Sequence, residues 1–473
     1  MRRRFLAQAA ALVTAKTLST LSAHAALAGD LAQSPADSSD YGPLFPIADT
    51  DGNVVLALPQ GFRYATFSRT GEAYAPGRLV PRSHDGMACF AAGPDTVRLV
   101  RNHELRNRPG DFTLGVEVPA DHAYDAAAMG GCMALDFDLR TKRLVRQFPV
   151  LGGTMVNCAG GYAWKNAGWI TCEETTAGVN DDFGRPHGYV FVVPASVQSA
   201  VRAVPLTALG RFAHEAAVAD ANGIVYLTED AGSTSGFYRF TPERSGDLTR
   251  GRLQMLAIRG EPRADLHHGR KMGLRLPVRW VDIDEPDPPL ERGAATCFAQ
   301  ARARGGAAFG RLEGIHRGED GVSVYFVATT GGKVRGMDGR GYGQIWRYAP
   351  ALARGDSDAL TLVFESPHGS VLDSPDNLCF TPRGSLLLCE DDATDDADTH
   401  GMATGIANVN RLIGLTRGGR PFAFAVNLLN ASEFAGACFI PGGEILFVNL
   451  FGDASVASGM TCAIWGPWAR GPL

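Results

Sequence analysis

A short unit of strand, turn and strand recurs along this chain, and sustained helical periodicity is missing. The clearest copy runs from Phe212 to Pro242. Glu215-Ala-Ala-Val-Ala219 is a short apolar strand, Asp220-Ala-Asn-Gly223 a turn, and Ile224-Val-Tyr-Leu-Thr228 a second strand; Gly236-Phe-Tyr-Arg-Phe240 follows a Gly/Ser loop as a third. Runs of this length, bounded by Gly, Asn, Asp and Pro, read as strands of an antiparallel meander. One such unit cannot bury its own faces, so the copies must pack on one another.

The same syntax begins at Asp85, Cys158, Glu313, Asp376 and Glu433. Six sheet units arranged radially predict an all-β fold, a six-bladed β-propeller with loop insertions on one face. The stretch 243–312, which carries Asp282-Ile-Asp-Glu-Pro-Asp-Pro-Pro289, reads as loops and an insertion. Residues 206–210 and parts of 195–203 are the modest helix candidates. The expected layout is a leader over 1–25, a tether over 26–45 and a single propeller domain over 46–473.

Acidic residues recur within these units. Thr171-Cys-Glu-Glu174, Leu227-Thr-Glu-Asp230 and Leu388-Cys-Glu-Asp-Asp392 each end an apolar run with adjacent carboxylates. Cys158, Glu215, Glu313 and Asp376 stand at the start of the first strand, which lines the channel of a propeller. A single acidic strand end is ordinarily a solvated loop tip. The same layout in several repeats makes the positions converge, and converging carboxylates repel unless cations neutralise them. The expected inner tier is Cys158, Glu215, Glu313 and Asp376. Glu173, Glu174, Glu229, Glu390 and Asp391 are expected one layer out. Glu433, Asn449, Asn102 and Glu104 fall at similar positions in less regular units and read as structural or surface residues.

Oxygen ligands with few His describe a hard-cation site such as calcium. One thiolate adds a soft donor that suits a transition metal such as iron. Such a cluster stabilises in-line displacement at phosphorus. Arg311, two residues before Glu313, is placed to offer a bidentate fork to phosphate. His214, beside Glu215, is a candidate acid or supporting group.

Net charge of −5 argues against nucleic acid as a main partner. None of the nine Cys forms a Cys-x-x-Cys pair, and no zinc-type spacing occurs. The N-terminus, Arg2-Arg-Arg-Phe-Leu6 followed by an Ala-rich stretch and Ala23-His-Ala25, reads as a twin-arginine export signal with a cleavage site. No later run is apolar enough to span a membrane. The expected location is periplasmic or secreted, by way of the twin-arginine export machinery.

Asn157-Cys-Ala-Gly-Gly161, Thr171-Cys-Glu-Glu174, His214-Glu-Ala216, Val225 to Asp230 with Gly236-Phe-Tyr-Arg-Phe240, Arg311-Leu-Glu-Gly314 and Ser374-Pro-Asp-Asn-Leu378 together resemble the PhoX-type alkaline phosphatases. The resemblance spans roughly residues 45–465. It implies a six-bladed propeller with iron and calcium at the channel mouth, acting on small phosphate esters outside the cytoplasm. It implies that Cys158, Glu215 and Glu313 hold iron. Glu173, Glu174, Glu229, Asp376, Glu390 and Asp391 would supply calcium or bridging ligands, and Arg311 would bind phosphate. A monomer is expected. The competing readings are a calcium-dependent lactonase-like propeller and a non-catalytic periplasmic propeller.

Overall fold

The computed structural model describes residues 41–109, 111, 113–332, 341–351, 357–391 and 409–473. The expected export signal over 1–25 and most of the tether expected over 26–45 lie outside the described residues. The last residues of that tether belong to the fold. Tyr41 is buried, and Leu44–Ala48 is a strand paired with Val54–Pro59.

The chain is all-β, built from antiparallel sheets. Six short strands carry the starts of the repeats: His84–Ala91, Asn157–Tyr162, His214–Ala219, Leu312–Arg317, Pro375–Phe380 and Phe434–Phe439. Each packs against the next in chain order, and the last packs back against the first. These strands therefore surround a common axis. Each pairs with the following strand of its own sheet, which carries the chain outward. Apolar side chains between neighbouring sheets form the core.

The two ends of the chain close the ring. Arg63–Phe67 pairs with Met460–Trp465, and Val54–Pro59 pairs with Pro421–Asn427. Trp468 packs on Phe62, Phe424 and Phe439, with ring centroids 4.8, 5.0 and 5.2 Å away. The Tyr41 hydroxyl donates to the Trp468 carbonyl at 2.9 Å. Truncating a buried aromatic such as Trp468 costs about 3–5 kcal/mol.

The stretch 243–312 is not the loop insertion expected of it. Gly251–Ile258 and Arg275–Asp282 are paired strands, and Cys297–Ala303 is a short helix. Leu276, Val278 and Val281 face inward, although Pro277 and the flanking charges hide the alternation in sequence. Arg275–Pro277 pairs with Ala359–Thr361, so two neighbouring sheets fuse into one of nine strands. Of the expected helices, only Thr207–Leu209 forms, as one 3-10 turn; residues 195–203 contain none. Among the described residues no helix is long and apolar enough to cross a membrane.

Candidate metal centre

Every inner strand is bulged at one equivalent point. The pairing register slips by one residue between His84 and Met87, Asn157 and Gly160, His214 and Ala217, Leu312 and Ile315, Pro375 and Leu378, and Ala435 and Cys438. A bulge leaves an unpaired residue and re-aims its side chain. The first residues of the six bulges are Asp85, Cys158, Glu215, Glu313, Asp376 and Gly436. The second are Gly86, Ala159, Ala216, Gly314, Asn377 and Ala437, mostly small. Their size follows from the close approach of neighbouring strands. A Cβ on Gly314 would meet the Asp376 carbonyl at 2.7 Å, and one on Gly86 would meet the Ala159 Cα at 2.6 Å.

Two further devices fix the ring. Ser83, Val156, Arg311 and Ser374, each two residues before a bulge residue, adopt φ between 39° and 56°. Such backbone is costly for non-glycine residues and persists only where packing over-determines it. The second strands also reach across to the next unit. Asn102 Nδ2 donates to the Cys158 carbonyl at 2.8 Å, Thr228 Oγ1 to Glu313 at 2.6 Å, Thr329 Oγ1 to Pro375 at 2.6 Å, and Asn449 Nδ2 to Asp85 at 2.6 Å. Asn102 and Asn449 are thus buried clamps on the bulges, not surface residues.

The adjacent carboxylates that end the second strands do not act together. Side chains alternate along a strand, so only one of each pair faces the axis. Glu173 turns into its own sheet and accepts from the backbone N–H of Met155 (2.9 Å), Gly188 (3.0 Å) and Tyr189 (3.2 Å), and from His187 Nδ1 (2.7 Å). Glu229 accepts from the Tyr238 hydroxyl at 2.5 Å and from the Gly236 N–H at 3.2 Å. Glu390 is held by the Arg411 guanidinium at 2.6 and 2.7 Å and by the Asp373 N–H at 2.8 Å. These three, expected as metal ligands, have their oxygens committed to folding contacts. The second member of each pair, Glu174, Asp230 or Asp391, extends beyond the sheet toward the axis.

Ligand atoms converge in three overlapping groups: Asp85, Glu104 and Cys158; Cys158, Glu174 and Glu215; and Glu215, Glu313 and Asp376. Within each group the atoms lie within 4.8 Å of one another. Asp85 and Glu104 extend the set expected from sequence. Asp85 repeats the bulge position in the first unit, and Glu104 repeats the strand-end position of Glu174. Glu433 joins from the last unit, where Gly436 holds the bulge position; the Asp376 and Asp391 charges act on it. Both Glu104 and Glu433, expected to be structural or surface residues, face the cluster.

The carboxylates are buried together with few donors to balance them. Both oxygens of Glu215, Oδ1 of Asp85 and Oδ1 of Asp376 have no hydrogen-bond partner. Burial first, then mutual repulsion, pushes Glu215 and Asp85 well above the ordinary carboxylate range and Asp376 up to about 7. Burial and the nearby carboxylates likewise push the Cys158 thiol up. This donor set suits cations. It is unstable as a set of anions without them.

Among the described residues, two arginines meet the cluster. Arg311 Nε lies 3.1 Å from Asp230 Oδ2, and its Nη2 lies 2.9 Å from Glu313 Oε1. Glu313 above all, then Asp230 and Asp391, hold its charge firmly against the burial. Arg106 Nε lies 3.2 Å from Glu104 Oε1, and its Nη2 bonds Glu174. His214, expected as a catalytic candidate, points the other way. Its Nε2 donates to the Gly210 carbonyl at 2.9 Å, its ring lies on Phe212 at 3.6 Å, and burial lowers its pKa to about 3. It is a neutral packing group. A cavity of about 420 Å³, lined by Tyr162, Trp169, His316, Phe380 and Phe439, reaches the second residues of the bulges but is lined by none of the clustered carboxylates.

The model of one protein family, described as alkaline phosphatase PhoX, matches residues 39–452. Among solved structures, PhoX of Pseudomonas fluorescens in complex with vanadate, a transition-state analogue, is similar with a TM-score of 0.63 and 17% identity. The match covers 91% of this chain and 98% of that one. A Xanthomonas campestris gluconolactonase follows with a TM-score of 0.43 and 12% identity, covering 91% of this chain and 99% of that one. No curated protein sequence matches. The first structural match shows the β-propeller fold.

Proposed function

The chain belongs to the alkaline phosphatase PhoX family, whose members are metal-dependent phosphoric ester hydrolases, and we propose that it hydrolyses small phosphate monoesters at an iron–calcium cluster in the mouth of a six-bladed propeller. One observation carries the location: buried carboxylate oxygens without partners, on Asp85, Glu215 and Asp376, converge around one thiol. The six bulged inner strands support the blade count.

The donor chemistry fits two kinds of cation. Cys158 with Glu215 and Glu313 offers the mixed thiolate–carboxylate set that suits iron. Glu174, Asp376 and Asp391, with Asp85, Glu104, Asp230 and Glu433, offer the all-oxygen set that suits calcium. When bound, the cations neutralise the cluster and supply Lewis acidity at phosphorus. The chain's own groups do the rest. Arg311 faces the phosphate oxygens with a planar fork already oriented by Asp230 and Glu313. The bulges and their clamps hold the donors rigidly, so little reorganisation accompanies reaction. Glu173, Glu229 and Glu390 anchor the strand ends from which Glu174, Asp230 and Asp391 project.

Export by the twin-arginine route, which carries folded proteins, agrees with a cluster assembled before the protein reaches the periplasm. The decisive experiment takes protein exported in a native-like host, measures iron and calcium, and follows p-nitrophenyl phosphate at alkaline pH. Hydrolysis that falls with loss of either metal is expected. A fully loaded protein that releases no p-nitrophenol overturns the reading.

A further inference from the structure

Among the described residues, Arg106 is the one basic group at the cluster that the reaction has not yet used. It lies two residues past Glu104, just beyond the strand Thr96–His103. Its Nε and one edge of Nη2 are turned to Glu104 and Glu174. These contacts engage two of the five N–H donors of a guanidinium, and neither is made through Nη1. The side chain is 61% exposed, against 19% for Arg311. Arg106 is therefore tethered at the rim with its outer edge open to an incoming molecule.

The two arginines stand on different flanks. Arg311 rests on Asp230 and Glu313, from the third and fourth units. Arg106 rests on Glu104 and Glu174, from the first and second. Glu104 and Glu174 nevertheless feel both charges, so both guanidinium groups border one cluster. A dianionic ester approaching this many carboxylates needs fixed positive charge on more than one side.

We propose that Arg106 is a second phosphate-binding residue, which takes non-bridging oxygens of the bound ester from a different flank than Arg311. The inference rests on the phosphatase reading and sharpens its substrate class. A monoester presents three non-bridging oxygens and two charges, enough for two forks. A diester presents two oxygens and one charge. The pair of arginines therefore selects monoesters over diesters.

The test uses the cation-loaded full chain with Arg106→Ala and Arg106→Lys. Three quantities are read: metal content, inorganic phosphate binding by calorimetry, and KM for p-nitrophenyl phosphate against bis(p-nitrophenyl) phosphate. For Arg106→Ala, phosphate binding weakens by about 10- to 100-fold, as expected for a lost charged hydrogen bond. KM rises more for the monoester than for the diester, and metal content holds. Arg106→Lys restores the charge but not the fork, so it recovers only part of the loss. Unchanged phosphate affinity, an unchanged monoester-to-diester ratio, or losses that merely follow lost cations overturn the proposal. Arg106-dependent phosphate binding in a wild-type protein without turnover upholds Arg106 and overturns the catalytic reading instead.

Discussion

Stripping the cations should make this protein's stability rise as pH falls from 8 to about 5, the reverse of ordinary acid sensitivity. Glu215, Glu313 and Asp376 place ligand oxygens within 4.8 Å of one another. Two unit charges at that distance repel by about 3.5 kcal/mol at an effective dielectric of about 20, so three ionised pairs amount to about 10 kcal/mol. That is comparable with the whole stability of a typical domain, about 5–15 kcal/mol. The stripped cluster must therefore take up protons. Asp376 is pushed from 3.8 up to about 7 by burial and then Asp391, and Glu215 and Glu313 are raised well beyond their usual range. A carboxyl with a raised folded pKa binds a proton in the native state that the unfolded chain releases. Its stabilising contribution is complete below about pH 4 and disappears as pH rises through about 7. For Asp376 alone the span is about 4 kcal/mol. Urea unfolding of chelated and cation-loaded protein at pH 8, 6.5 and 5 measures this. Loading should stabilise strongly at pH 8 and much less at pH 5. If chelated protein is as stable as loaded protein at pH 8, or loses stability between pH 8 and 5, the cluster is not the buried anionic set described above.

Five substitutions test the geometry independently. Glu174→Gln should lower metal content with little change in stability, whereas Glu173→Ala should destabilise by several kcal/mol, because it strands the Met155, Gly188 and Tyr189 N–H groups at about 1–3 kcal/mol each; elemental analysis and urea midpoints separate the two. Gly314→Val should cost about 1–3 kcal/mol and release metal together, since its Cβ would press on the Asp376 carbonyl and the Asn377 Cα. Cys158→Ser should deplete iron while sparing calcium, read by the same elemental analysis. Arg311→Lys should raise KM and weaken inhibition by inorganic phosphate, with metal content intact.

What could be read from sequence was the repeat, and with it five of the six bulge positions, because the short strands and their turn residues recur at Asp85, Cys158, Glu215, Glu313 and Asp376. Asp85 begins a unit in the same way, but nothing in His84-Asp-Gly-Met87 marks it as a ligand, because the strand-end acid of that unit, Glu104, lies in a less regular stretch. The strand-end pairs could not be resolved by type, since Glu173 and Glu174 are the same residue with opposite fates. Only the strand's two-residue period and the position of the bulge decide which one reaches the axis, and both are set by pairing with another strand. Glu433 escaped for a related reason. In its unit the bulge residue is Gly436, at φ 62° and within 2.6 Å of the Asp85 carbonyl at its notional Cβ, so the acid had to come from outside the repeat register. Arg106 sits on a loop with no periodicity at all, and nothing local distinguishes it from a solvated arginine. His214 misled by proximity: adjacent to Glu215 in sequence, it occupies the opposite face of the strand, where Phe212 and the Gly210 carbonyl hold it neutral. The sites that sequence finds are those a repeat enforces. Those it misses are the ones where one unit departs from the repeat to complete a ring of charges that no single unit could build.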